Sequence, residues 1–112
     1  MVECAMYNIT VGNIHPSVIC VEISKLVPSL RSLRELLQSG YIEEGLQEFI
    51  EDYSRKDEVM PSDKTVGFVV VNSAKRMMSL SFSSISRDLI SALRLEADEF
   101  KKIGYTTELD VP

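Results

Sequence analysis

Residues 65–84, TVGFVVVNSAKRMMSLSFSS, constrain the fold more tightly than any other stretch of the chain. The first eight are apolar or small at almost every position, as in a central strand covered on each side. In the last eight, Met78, Leu80 and Phe82 alternate with Ser79, Ser81 and Ser83. Branched and aromatic side chains pack well on a pleated surface, so the two runs predict a β-hairpin turning through NSAKR. Met78, Leu80 and Phe82 form its inward set. The serines then fall on the other face, beside either Gly67, Val69 and Val71 or Phe68 and Val70, according to register.

Two further strands are expected near the N-terminus. Ala5, Tyr7, Ile9 and Val11 alternate onto one face of residues 4–11, the turn-rich GNIHPS follows, and SVICVEIS resumes extended structure. In that second strand Ile19, Val21 and Ile23 face the core, and Glu22 makes the other face polar.

Helical signals fill the remainder. Pro28 ends extended structure, Ser29 or Ser32 can cap a helix, Ser32 with Glu35 makes a capping box, and Gly40 terminates it. Ile42, Leu46, Phe49, Ile50 and Tyr53 then recur at helical spacing, with Glu43, Glu44, Glu48, Glu51 and Asp52 on the opposite arc. Residues 54–64, SRKDEVMPSDK, lack a period and read as a loop long enough to be mobile or to serve as a contact element, in which Val59 and Met60 are apolar. A last helix begins at Ser86, carries Leu89, Leu93, Ala97 and Phe100 as its stripe, and closes at Gly104. The tail YTTELDV returns as an edge strand.

This order predicts an α+β fold: a ferredoxin-like β-α-β-β-α-β sandwich with an additional N-terminal strand and its helices on one sheet face. The opposite face would need a second copy or a partner to cover its apolar part. At 112 residues and 45% hydrophobic content the chain suits one domain, residues 1–112, and no repeat or compositional break divides it.

Charge narrows the partners. The net charge of −5 and a pI near 4.8 disfavour nucleic acid and anionic membrane surfaces and fit a neutral or basic protein. The basic residues form only small clusters diluted by acids, and no RNP-like motif accompanies Tyr7 and Phe68. No apolar run approaches the roughly 20 residues that cross a bilayer. Cys4 and Cys20 are too few for a disulfide framework and no secretory leader is evident, so the reading is a cytoplasmic protein with reduced thiols.

Chemistry is sparse. His15, Cys4 and Cys20 are the transition-metal ligands on offer, without CxxC, HxH or HExxH spacing, and no metal or cofactor is expected. Scattered glycines form neither GxGxxG nor GxxxxGK[ST], and the serines lack a GxSxG elbow or an adjacent base. Glu22, with Glu3 on the neighbouring strand, could be a carboxylate pair, but an edge position facing water explains Glu22 better. No catalytic residue is assigned, and no motif is specific enough to name a family.

The leading expectation is a non-catalytic interaction protein, an inhibitor, immunity protein or regulatory adaptor, and a homodimer. It would bind a macromolecule through Glu43, Glu44, Glu48, Glu51 and Asp52, assisted by Val59 and Met60. The alternative is a small-molecule-binding regulator or small enzyme. Its ligand would sit on the open sheet face or at a dimer seam near Ser79, Ser81 and Ser83, with Glu22 or His15 as the ionisable group.

Overall fold

Nine elements, described in a computed structural model over residues 2–12, 15–55 and 64–112, follow most of these signals. The strands are β1 (Cys4–Thr10), β2 (Ser17–Glu22), β3 (Thr65–Asn72), β4 (Met77–Phe82) and β5 (Thr106–Asp110). The α-helices are α1 (Leu26–Ser39), α2 (Ile42–Tyr53) and α3 (Arg87–Lys102), and a 3-10 turn, Ile23–Lys25, leads into α1. Val59 and Met60 lie outside the described residues.

The strands form one mixed sheet in the order β2-β1-β3-β4-β5. β1–β2 and β3–β4 are antiparallel, whereas β1–β3 and β4–β5 are parallel. The α+β class therefore stands, but the strand order departs from the ferredoxin-like expectation. That arrangement would place β2 inside the sheet beside β4; here β2 is an edge and β1 takes the interior. Side chains explain the exchange. Cys4, Ala5, Met6, Tyr7 and Ile9 are all buried, so β1 is apolar on both faces along much of its length, while β2 carries exposed Val18 and half-exposed Ser17 and Glu22.

All three α-helices pack on one sheet face. Tyr7, Ile9, Val21, Val69 and Leu80 from the strands meet Leu26, Leu30, Leu33, Phe49, Leu93 and Phe100 from the helices in one core. Burying side chains of this size contributes about 1.5–3 kcal/mol each before chain entropy is subtracted. Phe82 lies directly over Gly67 on that side: a Cβ on Gly67 would stand 2.0 Å from its ring, so only glycine fits. β3 is central in the sheet, yet it is covered on one side only. Phe68 and Val70 point outward and remain exposed, in contrast to the doubly covered strand its composition suggested.

The start of α1 also differs from expectation. The helix begins at Leu26 rather than at Ser29 or Ser32, and Pro28 sits in its first turn, where a missing N–H breaks no helical hydrogen bond. Ser29 is released from capping. It is fully buried, donates to the Leu26 carbonyl at 2.6 Å, and hydrogen-bonds the Tyr7 hydroxyl. The other boundary signals agree: Gly40 ends α1 in the left-handed region at φ 81°, and the Ser86 hydroxyl accepts from the Leu89 N–H at 3.2 Å.

Cys4 and Cys20 form a disulfide, which corrects the expectation of free, reduced thiols. Cys20 is paired with Met6 and Cys4 with Glu22, so the two cysteines are diagonal neighbours with Cα atoms 6.0 Å apart, within bridging range. Neither sulfur is then a thiolate for metal or nucleophilic chemistry. The bridge and Met6 make a small buried apolar cluster apart from the main core.

Candidate functional site

The strand register sets the helix-free sheet face out in rows. Its middle row runs Val18, Asn8, Val70, Ser79, Glu108 across β2, β1, β3, β4 and β5. The row beside it runs Cys20, Met6, Phe68, Ser81, Asp110, and the row on the other side Thr10, Asn72, Met77, Thr106. One half is thus largely apolar, and the β4–β5 half carries hydroxyls and carboxylates. Val18, Phe68, Val70 and Met77 are 44%, 46%, 44% and 48% exposed, a degree unusual for side chains of this kind on a sheet.

The predicted ligand-binding residues do not converge on this face. Ser79 lines a depression of about 230 Å³ with Val70, Met77 and Glu108. Ser81 and Ser83 line another, of about 280 Å³, with Phe68 and Asp110. The Ser83 hydroxyl donates to the Val66 carbonyl at 3.2 Å and so helps close the strand end. Glu22 ends the edge strand β2, where it is half exposed, and His15 is exposed in the loop at the other end of that strand. β1 and β3 stand between β2 and the serines.

The acidic residues are better gathered. Glu43, Glu44, Glu48, Glu51 and Asp52 are exposed along α2, while Leu46 and Phe49 on its other side enter the core. Glu44, Glu48 and Asp52 share a cleft of about 480 Å³ with Glu35, which reaches in from α1. Glu43 and Glu51 are not among its lining residues. The floor is apolar and aromatic, built from Leu36, Phe49 and Tyr53. Phe49 lies 5.0 Å from Tyr53 and 6.0 Å from Tyr7 between ring centroids, and the Tyr53 hydroxyl is 2.7 Å from Ser32 Oγ, so ring contacts and a hydrogen bond brace the floor. Gly45 belongs to this packing, since a Cβ there would meet the Leu36 side chain at 2.1 Å. The two helices can therefore close to form the cleft.

Two polar arrangements escaped sequence reasoning. Beneath α1, the phenol of Tyr7 is wholly enclosed; burial pushes its pKa well above the ordinary tyrosine value, a rise that the Ser29 hydrogen bond only partly opposes. It is a neutral donor at physiological pH. Above it, Glu96 of α3 is only 4% exposed and is held by Arg31 Nε at 2.9 Å and Arg34 Nη1 at 2.6 Å. A signal for the latter was present: Glu96 interrupts the apolar stripe between Leu93 and Ala97, and Arg31 and Arg34 recur three apart on another helix. The Tyr7–Ser29 pair is fully buried, whereas the Glu96 cluster opens to solvent on the Arg31 side, and each ties α1 to the rest of the fold.

Among the described residues no three His, Cys, Asp or Glu side chains are grouped so that they could hold a metal, and no helix is long and apolar enough to cross a membrane. The model of a family described as Thermoplasma acidophilum protein TA0956 matches residues 1–110. A structure of TA0956 determined by NMR is 39% identical to this chain, superposes with a TM-score of 0.77, and is covered over 99% of its length by 98% of this chain. No curated protein matches the chain.

Proposed function

We propose that this chain, which belongs to the family of Thermoplasma acidophilum protein TA0956, is a non-catalytic interaction protein that captures a basic segment of a macromolecular partner in the α1–α2 cleft. The observation carrying this reading is the joining of Glu35, Glu44, Glu48 and Asp52 above a floor of Leu36, Phe49 and Tyr53. A solvated charge run would only decorate a helix. Carboxylates around an aromatic floor instead suit a segment with cationic heads and an apolar stem, such as a lysine- or arginine-bearing amphipathic stretch. Attraction over a distance comes from the net charge of −5, and occlusion of the partner's basic surface gives an inhibitor or adaptor its effect.

The test uses a helical peptide patterned with Lys and Leu, titrated at low salt. Glu44→Lys with Glu48→Lys is expected to weaken binding at least tenfold and flatten its salt dependence, each reversal removing on the order of 1 kcal/mol. Charge reversal at Glu108 and Asp110, on the opposite sheet face, should leave the affinity within about twofold. Equal losses from both pairs would mean that net charge alone attracts the peptide and that the cleft is not its site.

A second reading concerns the open sheet face, where Val18, Phe68, Val70 and Met77 favour a homodimer packed face to face. Phe68→Asp is expected to convert a dimer to a monomer in chromatography with light scattering. A wild-type chain that stays monomeric at about 100 μM, a concentration where weak interfaces already associate, would eliminate this reading. Less supports a small-molecule site, because Ser79, Ser81, Ser83, Glu22 and His15 do not meet.

A further inference from the structure

We infer that a second, cationic cleft at the end of the sheet binds a small organic oxyanion, a phosphate monoester or carboxylate carrying an apolar body. The cleft is a solvent-open depression of about 600 Å³ between the β3–β4 turn, the end of α3 and the α1–α2 corner, with Arg76 and Lys102 exposed on it. In a chain with a net charge of −5, its lining holds Arg76 and Lys102 and no carboxylate.

Arg76 has an unusual backbone conformation. Among the described residues it is the non-glycine residue with positive φ, at 50°, a conformation that disfavours a side chain. The turn holds it there: its N–H donates to the Ser73 carbonyl at 3.4 Å and its own carbonyl accepts from the Thr106 N–H at 2.8 Å. Glycine or asparagine would fill such a position with less strain. Strained positions of this kind cluster at ligand clamps and active sites.

Its side chain is also placed. A Cβ on Gly104 would come within 3.1 Å of an Arg76 guanidinium nitrogen, so the guanidinium rests against the bare backbone at Gly104. Among the described residues no carboxylate or carbonyl accepts from it. The planar fork is therefore open to an oxyanion, which it can grip with two parallel hydrogen bonds.

The surroundings supply further donors. Ser73 Oγ accepts from the Gly12 N–H at 3.1 Å, which leaves the hydroxyl proton free to donate. Tyr105 is largely buried; desolvation raises its phenol pKa, an effect that the neighbouring Arg76 charge opposes, so it too is a neutral donor. Lys102 pairs with Glu99 at 3.0 Å, but both are exposed on the helix surface and a ligand can draw the ammonium away at little cost. The last carbonyls of α3 do not repel an anion freely, since those of Phe100 and Lys101 are occupied by the N–H groups of Ile103, Gly104 and Tyr105.

Leu37, Ile42 and Ile103 form the apolar wall, each half-buried against the core. Glu43 and Glu44 line the adjoining depression, which shares Ile42 and Ser73 with this one. Their charge turns an anionic head toward Arg76 and away from α2. The volume lies within the range of pockets that enclose small organic ligands.

The experiment is a titration of the isotope-labelled protein with phenyl phosphate, benzoate and inorganic phosphate, followed by amide chemical shifts. Saturable shifts at Ser73, Arg76, Gly104 and Tyr105 are expected with the aromatic ligands, and binding at least about tenfold weaker with inorganic phosphate, which lacks the apolar body. The better of phenyl phosphate and benzoate identifies the head group. Arg76→Gly removes the guanidinium while easing the backbone, so it should melt no lower than wild type yet lose at least tenfold in affinity; Arg76→Asn serves if the glycine variant does not fold. Lys102→Gln should lose less. Absence of saturable shifts, or shifts that persist unchanged without Arg76, would overturn the assignment.

Discussion

Replacing Arg31 and Arg34 together by methionine is expected to destabilise the protein by about 3–5 kcal/mol, the range found when a buried carboxylate loses its cations. The Glu96 side chain is 6% exposed, and both of its oxygens are taken, one by each arginine. Methionine keeps much of the aliphatic stem, so packing is nearly retained and the loss reports the stranded charge. The arginines are unequal. Arg34 is 19% exposed at its side chain and Arg31 63%, so Arg34→Met alone should account for most of the effect. Chemical denaturation checks this, with Glu96→Leu added to the double variant as the decisive comparison. Removal of the carboxylate should restore most of the stability, because an apolar replacement of the whole cluster needs no desolvated charge. A double variant within 1 kcal/mol of wild type would mean that water reaches Glu96 and that the cluster is a surface feature.

The second large effect concerns the bond between Cys4 and Cys20. These residues are separated by 16 positions, and a cross-link over a loop of that length removes unfolded-chain entropy equivalent to about 3 kcal/mol. For a chain of 112 residues that is roughly 10–15 °C in Tm. The clean comparison is oxidised against reduced wild type, because it keeps both sulfurs in the buried cluster with Met6. Cys4→Ala with Cys20→Ala should fall at least as far, with the emptied space adding to the loss. A melting point that does not move on reduction, or two alkylatable thiols in protein prepared without reductant, would remove the bond from the account.

Much of the architecture was legible because the period of apolar residues is a local signal. The hairpin of β3 and β4, the helix boundaries at Gly40, Ser86 and Gly104, and the final edge strand each rest on a few neighbouring residues. Strand order is not local. Alternation says which side of β1 faces the helices, but its position beside β3 is decided by which strand buries both faces, a comparison of Cys4, Met6 and Tyr7 with Val18 and Glu22 across the sheet. The disulfide was hidden for a related reason: two cysteines in a chain this long suggest no framework, and only the diagonal register brings them within reach. At the acidic cleft, helical spacing placed Glu44, Glu48 and Asp52 on one arc, whereas Glu35 and the aromatic floor emerge only when α1 and α2 pack. Nothing in the spacing of Arg76 announced its backbone conformation, which the turn imposes.

The seat of β1 between β2 and β3 has a bearing on how the chain acquires its shape. The first strand made pairs on one side with a neighbour that follows almost at once, and on the other with a segment about sixty residues further along. During synthesis the hairpin must therefore wait, one flank unsatisfied, until Thr65–Asn72 emerges. Closing so wide a span before any parallel pairing is gained makes for a slow search, and an arrested nascent chain ending before β3 would be a sticky one.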